Sequence, residues 1–347
     1  MRVLFLYSTP INIEYSGAII YSNMILQALL DTGYDVDIVY PNSASLLTKI
    51  RRFFNGQDYW YSPIEFINND VGDMMSYDLV IYDHFRTCIA LERWKHDKTN
   101  VIFSHNLESQ NYKSSYVSAS GLKKIIFRYL WIKTQKLESK YFPIFRDVFS
   151  INSFESISLQ NLNLKTHTLF PHIFSESKKL PSKRDSTFLI IGSYKYGAKR
   201  RNLIRFIDEV WSTYVERYPN RQLLIAGSCL PSFDSERRGL IIVESPDDIE
   251  PYLCSAKALI APENEGGGFK LKYLDALAFG IPVLTTTASL QGTGLNDVKG
   301  FFTADTPEEY MCQLEMLHNA ELNGNTSIPK EYTKTHFRTC LIDNLSE

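Results

Sequence analysis

The sequence predicts an α/β protein of two domains, each a mostly parallel sheet with helices on its faces, and three observations lead there. The chain has 347 residues, beyond the size at which one hydrophobic core usually stops growing, so two domains of roughly 170 residues are expected. Short apolar, β-branched runs alternate with longer segments of helical period, the pattern of parallel strands joined by crossover helices. That alternation pauses between Asn163 and Lys183 and begins again after Pro181.

In the first half, strands are expected at Val3–Tyr7, Asp35–Tyr40, Leu79–Tyr82, Val101–Ser104 and Val148–Asn152, enough for a five-stranded sheet. A helix should run from Ser16 to Asp31, where Ala18, Ile19, Met24, Ile25, Ala28 and Leu29 share one face and Gly33 ends it. Another should cover Leu122–Tyr141. In the second half, strands are expected at Phe188–Ile191, Leu223–Ala226, Leu259–Ala261 and Val283–Thr285, with helices at Arg201–Val215, Asp247–Leu253 and Phe269–Phe279 between them. The stretch Asn163–Lys183 holds a strand-like Thr166–Phe170, then Pro171, His172 and Pro181, and reads as the connector. The domains are accordingly expected at 1–175 and 176–347, with the last helix packing back on the first. Ligands of open parallel sheets bind beyond the carboxyl ends of the strands, so chemistry is expected in a cleft between two such sheets.

Composition narrows the class. A chain that is 44% hydrophobic and 22% charged is an ordered protein, and a formal net charge of -2 gives no general attraction to nucleic acid, so no such partner is expected. The five cysteines, Cys88, Cys229, Cys254, Cys312 and Cys340, stand far apart without a CxxC pair, which fits a reducing compartment and no zinc site. The opening MRVLFLYSTP has about six apolar residues before a turn, too few for a signal sequence. No later run reaches about 18 apolar residues. A cytoplasmic protein is expected.

The stretch Glu263-Asn264-Glu265-Gly266-Gly267-Gly268 joins a buried strand to an amphipathic helix beginning near Phe269. Three glycines let a backbone approach a ligand closely, and a helix N-terminus offers unpaired N–H groups to an anion such as a diphosphate. Lys270 and Lys272, in the first turn, oppose the helix dipole, which makes sense if they face a negative ligand. Taken alone, they are a glycine turn with solvated lysines. Asp275 lies farther along the same helix, where a carboxylate could accept both hydroxyls of a ribose; in isolation it is an exposed helix acid. Gly280-Ile281-Pro282-Val283 then closes the helix and starts the next strand.

The run Asp275-Ala276-Leu277-Ala278-Phe279-Gly280-Ile281-Pro282-Val283 resembles the second half of the signature of glycosyltransferase family 4, retaining enzymes of the GT-B fold, with Asp for the usual Glu. That signature has an acidic residue, seven others, and a second acidic residue before Ala-Leu-Ala-x-Gly-x-Pro-Val. Its first acid, which contacts the donor sugar, falls on Gly267. A subgroup with Gly-x-Gly-x-Lys-x-Lys in that place fits Gly266, Gly268, Lys270 and Lys272. The resemblance runs along nearly the whole chain: Ser16-Gly17 opens a helix where the family lines the donor phosphates. His105-Asn106-x-Glu108 stands at a strand end where the family's His contacts the donor sugar. After the first strand of the second half, the family supplies an Arg and a Lys to the leaving diphosphate. Here Lys199 takes the Lys position and Ser193 the Arg position, with Lys270, Arg200 or Arg201 available to compensate.

The resemblance implies two Rossmann-like domains facing across a cleft and transfer of a sugar, with retention, from a nucleoside diphosphate donor to a glycan or lipid-linked saccharide in bacterial cell-surface polysaccharide assembly. Lys199 and Lys270 would meet the diphosphate, Asp275 the ribose, and His105 the sugar. Ser16, Gly17, Asn106, Arg200, Gly266, Gly267, Gly268, Phe269 and Lys272 would line the donor. Such transfer needs positioned cations rather than a protein nucleophile, and neither cofactor nor metal is expected. Asp35-Val36-Asp37 has the form of the metal-binding Asp-x-Asp of the other glycosyltransferase fold, yet it lies inside a strand after a tight turn. Two alternatives stay open: a nucleotide-sugar epimerase of the same fold, which needs cleft carboxylates, and an inactive nucleotide-sugar-binding partner of a transferase. An NAD-dependent dehydrogenase is disfavoured because Tyr7-Ser8-Thr9-Pro10 lacks GxGxxG.

From Lys113 to Arg146 there are eight Lys or Arg residues and one acid, Glu138, interleaved with Ile125, Ile126, Phe127, Tyr129, Leu130 and Trp131. Leu46–Phe54 is a second basic, apolar segment. Both suit the surface of an anionic membrane, and a peripheral location is expected; the plainer alternative is a pair of core helices with solvated basic faces.

Overall fold

The computed structural model describes residues 1–10, 16–60, 62–67, 76–92, 99–173, 187–195, 197–233, 238–263, 268–320 and 328–346. The chain forms two compact units. One consists of Met1–Pro171, Gly267–Phe269 and Lys334–Glu347, the other of His172–Gly266 and Lys270–Thr333.

In the first unit, the sheet strands are β1 (Arg2–Leu6), β2 (Asp35–Val39), β5 (Leu79–Asp83), β6 (Thr99–Ser104), β7 (Asp147–Ser150) and β8 (Thr166–Thr168). A separate antiparallel pair is made of β3 (Asn42–Ser43) and β4 (Ile64–Glu65). The order β2-β1-β5-β6-β7-β8 is parallel throughout, with Leu4 opposite both Asp37 and Val80. The helices are α1 (Gly17–Asp31), α2 (Leu46–Phe54), α3 (Glu108–Ser118), α4 (Gly121–Tyr141) and α5 (Ser153–Gln160). Ser16 caps α1 and Gly33, at φ +85°, follows its end, both at the predicted places. The expected five strands are present and β8 adds a sixth, inside what the sequence offers as a connector. It falls in the strand-like Thr166–Phe170, and there His167 and the adjacent Lys165 bond to Asp147, a fully buried carboxylate on β7, at 2.8 and 3.3 Å.

The second unit repeats the plan. Its strands are β9 (Thr187–Ser193), β10 (Gln222–Ser228), β11 (Leu240–Glu244), β12 (Ala258–Ala261), β13 (Val283–Thr285) and β14 (Phe301–Thr303), parallel in the order β11-β10-β9-β12-β13-β14. Helix α6 (Gly197–Phe206) continues through a π turn at Ile207–Trp211 into α7 (Ser212–Arg217). The others are α8 (Glu250–Ser255), α9 (Lys272–Ala278), α10 (Thr287–Leu290) and α11 (Pro307–Asn319). Two strands escaped the sequence reading. Edge strand β11 leaves Ile241 and Ile242 exposed, so its apolar run carries no burial, and β14 is three residues long. A second correction bears on function: α9 starts at Lys272 rather than Phe269, so Lys270 lies before the helix instead of in its first turn.

The core under β9 is aromatic. Phe188, Trp211 and Tyr214 are each at most 1% exposed and meet edge-on or tilted. Burying side chains of this size contributes about 2–3 kcal/mol each.

The last helix, α12 (Lys334–Ser346), belongs to the first unit. Lys334 pairs with Asp31 at 2.8 Å, Phe337 meets Tyr21 edge-on, and Arg146 donates to the Leu345 carbonyl at 3.1 Å, satisfying one of the orphan acceptors at the helix end.

Candidate functional site

Each unit buries a carboxylate at the point where its strand order reverses, which is where open parallel sheets hold ligands. In the second unit that point lies between β9 and β12. Strand β12 runs out into Pro262 and Glu263. The backbone carbonyl of Glu263 is gripped by the hydroxyls of Thr286, at 2.7 Å, and Ser289. Its side chain is buried, and Oε1 forms an ion pair with Lys272. Burial alone would raise the Glu263 pKa, but the Lys272 charge and hydrogen bond, helped by Lys270 and Lys199, bring it below the usual value. The other oxygen, Oε2, is buried with no hydrogen-bond partner among the described residues.

Lys199 comes from the first turn of α6. Its pKa is lowered, first by burial and then by the neighbouring Lys272 charge, with Glu263 acting the other way. The charges of three lysines thus act on one buried carboxylate. Arg200, one residue on, is exposed. Asp275 lies in the first turn of α9, and burial pushes its carboxyl up to about 6. No hydrogen bond or ion pair holds its carboxylate among the described residues, so it stands ready to accept hydroxyl donors. Gly280, at φ +54°, ends the helix as predicted.

In the first unit the order reverses between β1 and β5. The last residue of β5, Asp83, is fully buried. Its Oδ2 accepts from the Ser8 amide at 3.0 Å and the Ser22 hydroxyl at 2.8 Å, and its Oδ1 lies 2.7 Å from His105 Nε2. Burial works to raise the Asp83 pKa, but the interactions with His105, Ser8 and Ser22 hold it below the ordinary value. His105, at the end of β6, is 5% exposed. Tyr21 meets its ring edge-on, and its Nδ1 is buried without a hydrogen-bond partner among the described residues.

Beside it, His84 adopts φ 78°, a left-handed conformation uncommon outside glycine. Its Nε2 lies 3.2 Å from Glu108, which also meets Arg86 at 3.3 Å. These contacts overcome burial and bring the Glu108 pKa down to about 2. Burial, then the Arg86 charge, lowers that of His84.

Four of the predicted site residues are neighbours in this unit. A Cβ on Gly268, at φ +75°, would stand 3.2 Å from the His105 carbonyl oxygen and 3.6 Å from Asn106 Oδ1, so only glycine fits there without displacing the backbone. Phe269 packs against Phe170 with ring centroids 6.2 Å apart. Ser16 spends its hydroxyl on the Ile19 amide as the α1 cap, and Gly17 is the exposed first residue of that helix. Gly266 and Gly267 lie outside the described residues. Asp37, one of the two acids of Asp35-Val36-Asp37, is held by Arg2 and Tyr77, each at 2.8 Å.

Asp83 and Glu263 are the centres that sequence reasoning passed over. Asp83 carried a signal, an acid directly after a predicted strand. Glu263 opened the glycine-rich stretch without being given a role.

Comparison with known proteins bears on these features. Residues 185–319 match the family model described as glycosyl transferases group 1. An uncharacterized 44.6 kDa protein in the cps region of Klebsiella pneumoniae is 21% identical over 310 residues, 79% of this chain and 79% of that protein. Among solved structures, WaaG, a glycosyltransferase involved in lipopolysaccharide biosynthesis, superimposes with a TM-score of 0.63 at 13% identity, covering 99% of this chain and 93% of its own. HepE of Anabaena, in complex with UDP and glucose, gives a TM-score of 0.62 at 10% identity with both chains fully covered. Sucrose-phosphate synthase from Thermosynechococcus elongatus gives 0.61 at 13%, covering 99% and 94%. The chain therefore has the two-domain α/β fold of these GT-B glycosyltransferases, and over residues 185–319 it is similar to the group 1 glycosyl transferases.

Proposed function

We propose that this protein is a retaining, metal-independent glycosyltransferase of the family 4 type. It moves a sugar from a nucleoside diphosphate donor to a glycan or lipid-linked saccharide in bacterial cell-surface polysaccharide assembly. The observation that carries the reading is the convergence of Lys199, Lys270 and Lys272 on Glu263 at the reversal point of a sheet whose segment matches the group 1 glycosyl transferases. Fixed cations at that place stabilise the charge that develops on a departing diphosphate, in a setting where no solvent need reorganise. Glu263 holds Lys272 in position, Lys199 and Lys270 meet the phosphates, and Asp275 accepts the ribose hydroxyls. His105, oriented by Asp83, faces the donor sugar. The bond from the anomeric carbon to the diphosphate oxygen breaks as the acceptor hydroxyl oxygen bonds to that carbon, and the hydroxyl proton leaves with the diphosphate. The likeness to WaaG and to a protein of a cps region supports the cell-surface setting.

The test is a panel of nucleoside diphosphate sugars offered with candidate acceptors, following nucleotide release and sugar products for the parent protein, Lys199→Ala and Lys270→Ala. Release and transfer are expected with at least one donor, reduced about 100-fold or more in each variant. Turnover unchanged by both substitutions would overturn the site. Interconversion of donors without an acceptor would indicate an epimerase, and donor binding without turnover in any acceptor mixture an inactive partner.

A further inference from the structure

One side of the first unit is apolar and basic in a way that donor chemistry does not explain. On α2, Leu46, Leu47, Ile50, Phe53 and Phe54 are exposed, Leu47 by 77% and Phe54 by 80%. The helix is anchored through its opposite face, where buried Arg52 donates to the carbonyls of Ser62 and Ile64 at 3.2 and 3.1 Å. On α4, Leu122, Ile125, Ile126, Tyr129 and Ile132 recur every three or four residues and are also exposed. The buried residues of α4, Thr134, Leu137, Glu138 and Tyr141, follow the same spacing along a different line.

The two helices form one surface. Phe53 meets Trp60 edge-on at 5.2 Å, and Trp60 meets Tyr129 at 6.5 Å. Lys140 of α4 pairs with Asp58, two residues before that tryptophan. Soluble monomers seldom leave so many large apolar side chains on one side.

The exposed charges of the two helices are all basic. Lys49 and Arg51 flank the apolar residues of α2; Lys123, Lys124 and Arg128 lie among those of α4, and Lys133 and Lys136 follow them toward its C-terminal end. No acid occurs in α2, and the single acid of α4, Glu138, is buried and accepts from the Ser109 amide at 2.9 Å. A second copy of the chain would bring like charges together across such a face. An anionic bilayer satisfies both features, taking the apolar side chains below its headgroups and meeting the lysines with lipid phosphates.

We infer that the α2–Trp60–α4 face docks this protein onto an anionic lipid bilayer, with the exposed residues of α2 and of the first half of α4 entering the headgroup boundary. The inference concerns a surface apart from the lysine cluster, so vesicle binding and donor binding can be measured independently.

The test uses the full chain with vesicles of phosphatidylcholine alone and of phosphatidylcholine mixed with phosphatidylglycerol, at low and high salt. Cosedimentation with the mixed vesicles is expected, weaker in high salt. Leu47→Ser with Phe54→Ser should weaken it about tenfold or more. Lys123→Glu with Arg128→Glu should do the same and flatten the salt dependence. All these positions are exposed, so circular dichroism and melting temperature should match the parent, and nucleotide binding should be unchanged. No binding to the mixed vesicles, equal binding to both lipids, or parental binding by both double variants would overturn the inference. So would self-association that Leu47→Ser with Phe54→Ser abolishes while vesicles are ignored, since that would assign the face to a second copy.

Discussion

Both units bury a carboxylate where their strand order reverses, and they neutralise it by different means. Asp83 is met by dipoles and a histidine: the Ser8 amide, the Ser22 hydroxyl and His105 Nε2. Glu263 is met by a full positive charge on Lys272, with Lys199 and Lys270 adding to it. The first arrangement is saturated on both oxygens and needs nothing further. The second leaves one carboxylate oxygen without a hydrogen bond among the described residues and is answered by the charges of lysines. One carboxylate is answered mainly by dipoles, the other by charge.

If this contrast is right, the largest effect should come from Lys272→Ala, which strands a buried carboxylate. A loss of about 3–5 kcal/mol in stability is expected from urea unfolding near neutral pH. Glu263→Gln added to Lys272→Ala should recover much of it, and a double variant as unstable as the single would break the contrast. Asp83→Asn should cost less, about 1–3 kcal/mol, because an amide still accepts at one oxygen but turns a donor toward the groups at the other. It should also move the NMR signals of the His105 ring, whose Nε2 lies 2.7 Å from Asp83, and unmoved signals would show that Asp83 does not hold that ring.

Next comes the pH dependence at Asp275. Its folded pKa, about 6, lies above the unfolded value near 3.8, so its contribution to stability is fully present below about pH 4 and is lost as pH rises through 6. Asp275→Asn is therefore expected to stabilise the protein by about 1–2 kcal/mol at pH 8 and hardly at all at pH 4, as read from melting temperatures across that range. The same variant should weaken nucleoside diphosphate binding if the carboxylate accepts the ribose. The smallest change in stability is expected for Lys199→Ala. That amine is already disfavoured by burial and by Lys272, so unfolding should shift by less than about 1 kcal/mol, while affinity for a nucleoside diphosphate falls about tenfold or more in calorimetry. A large loss of stability with affinity intact would make Lys199 a structural residue and remove the difference between the two clusters.

Periodicity made the central strands readable. β1, β5, β9, β12 and β13 are short apolar runs buried on both faces, so composition and burial agree there. Agreement fails at the rims. β11 is an edge with exposed isoleucines and β14 is three residues long, so neither gives the signal of a buried strand, whereas the polar β8, whose His167 serves Asp147, was legible as the strand-like Thr166–Phe170. The start of α9 was misplaced for a local reason: Phe269 is buried by packing on Phe170, and its place before the helix imitates a helical apolar position. Of the candidate site, Lys270, Lys272 and Asp275 could be picked out because they lie on one segment of chain, and Lys199 because it follows the first strand of the second unit. Asp83 and Glu263 were not given roles, because what sets them apart is partners brought from other elements.

The sequence by itself determined two α/β sheets, the helices that cross between their strands, and the glycines that end α1 and α9, since these depend on local propensity and on a hydrophobic period within one segment. Only the tertiary structure decided which charges are buried and what answers them. Ser8, Ser22 and His105 reach Asp83 from three separate elements, and Lys199 and Lys272 reach Glu263 from two. A charge acquires its cost and its function from the groups that replace water around it, and those groups are fixed by packing rather than by position along the chain.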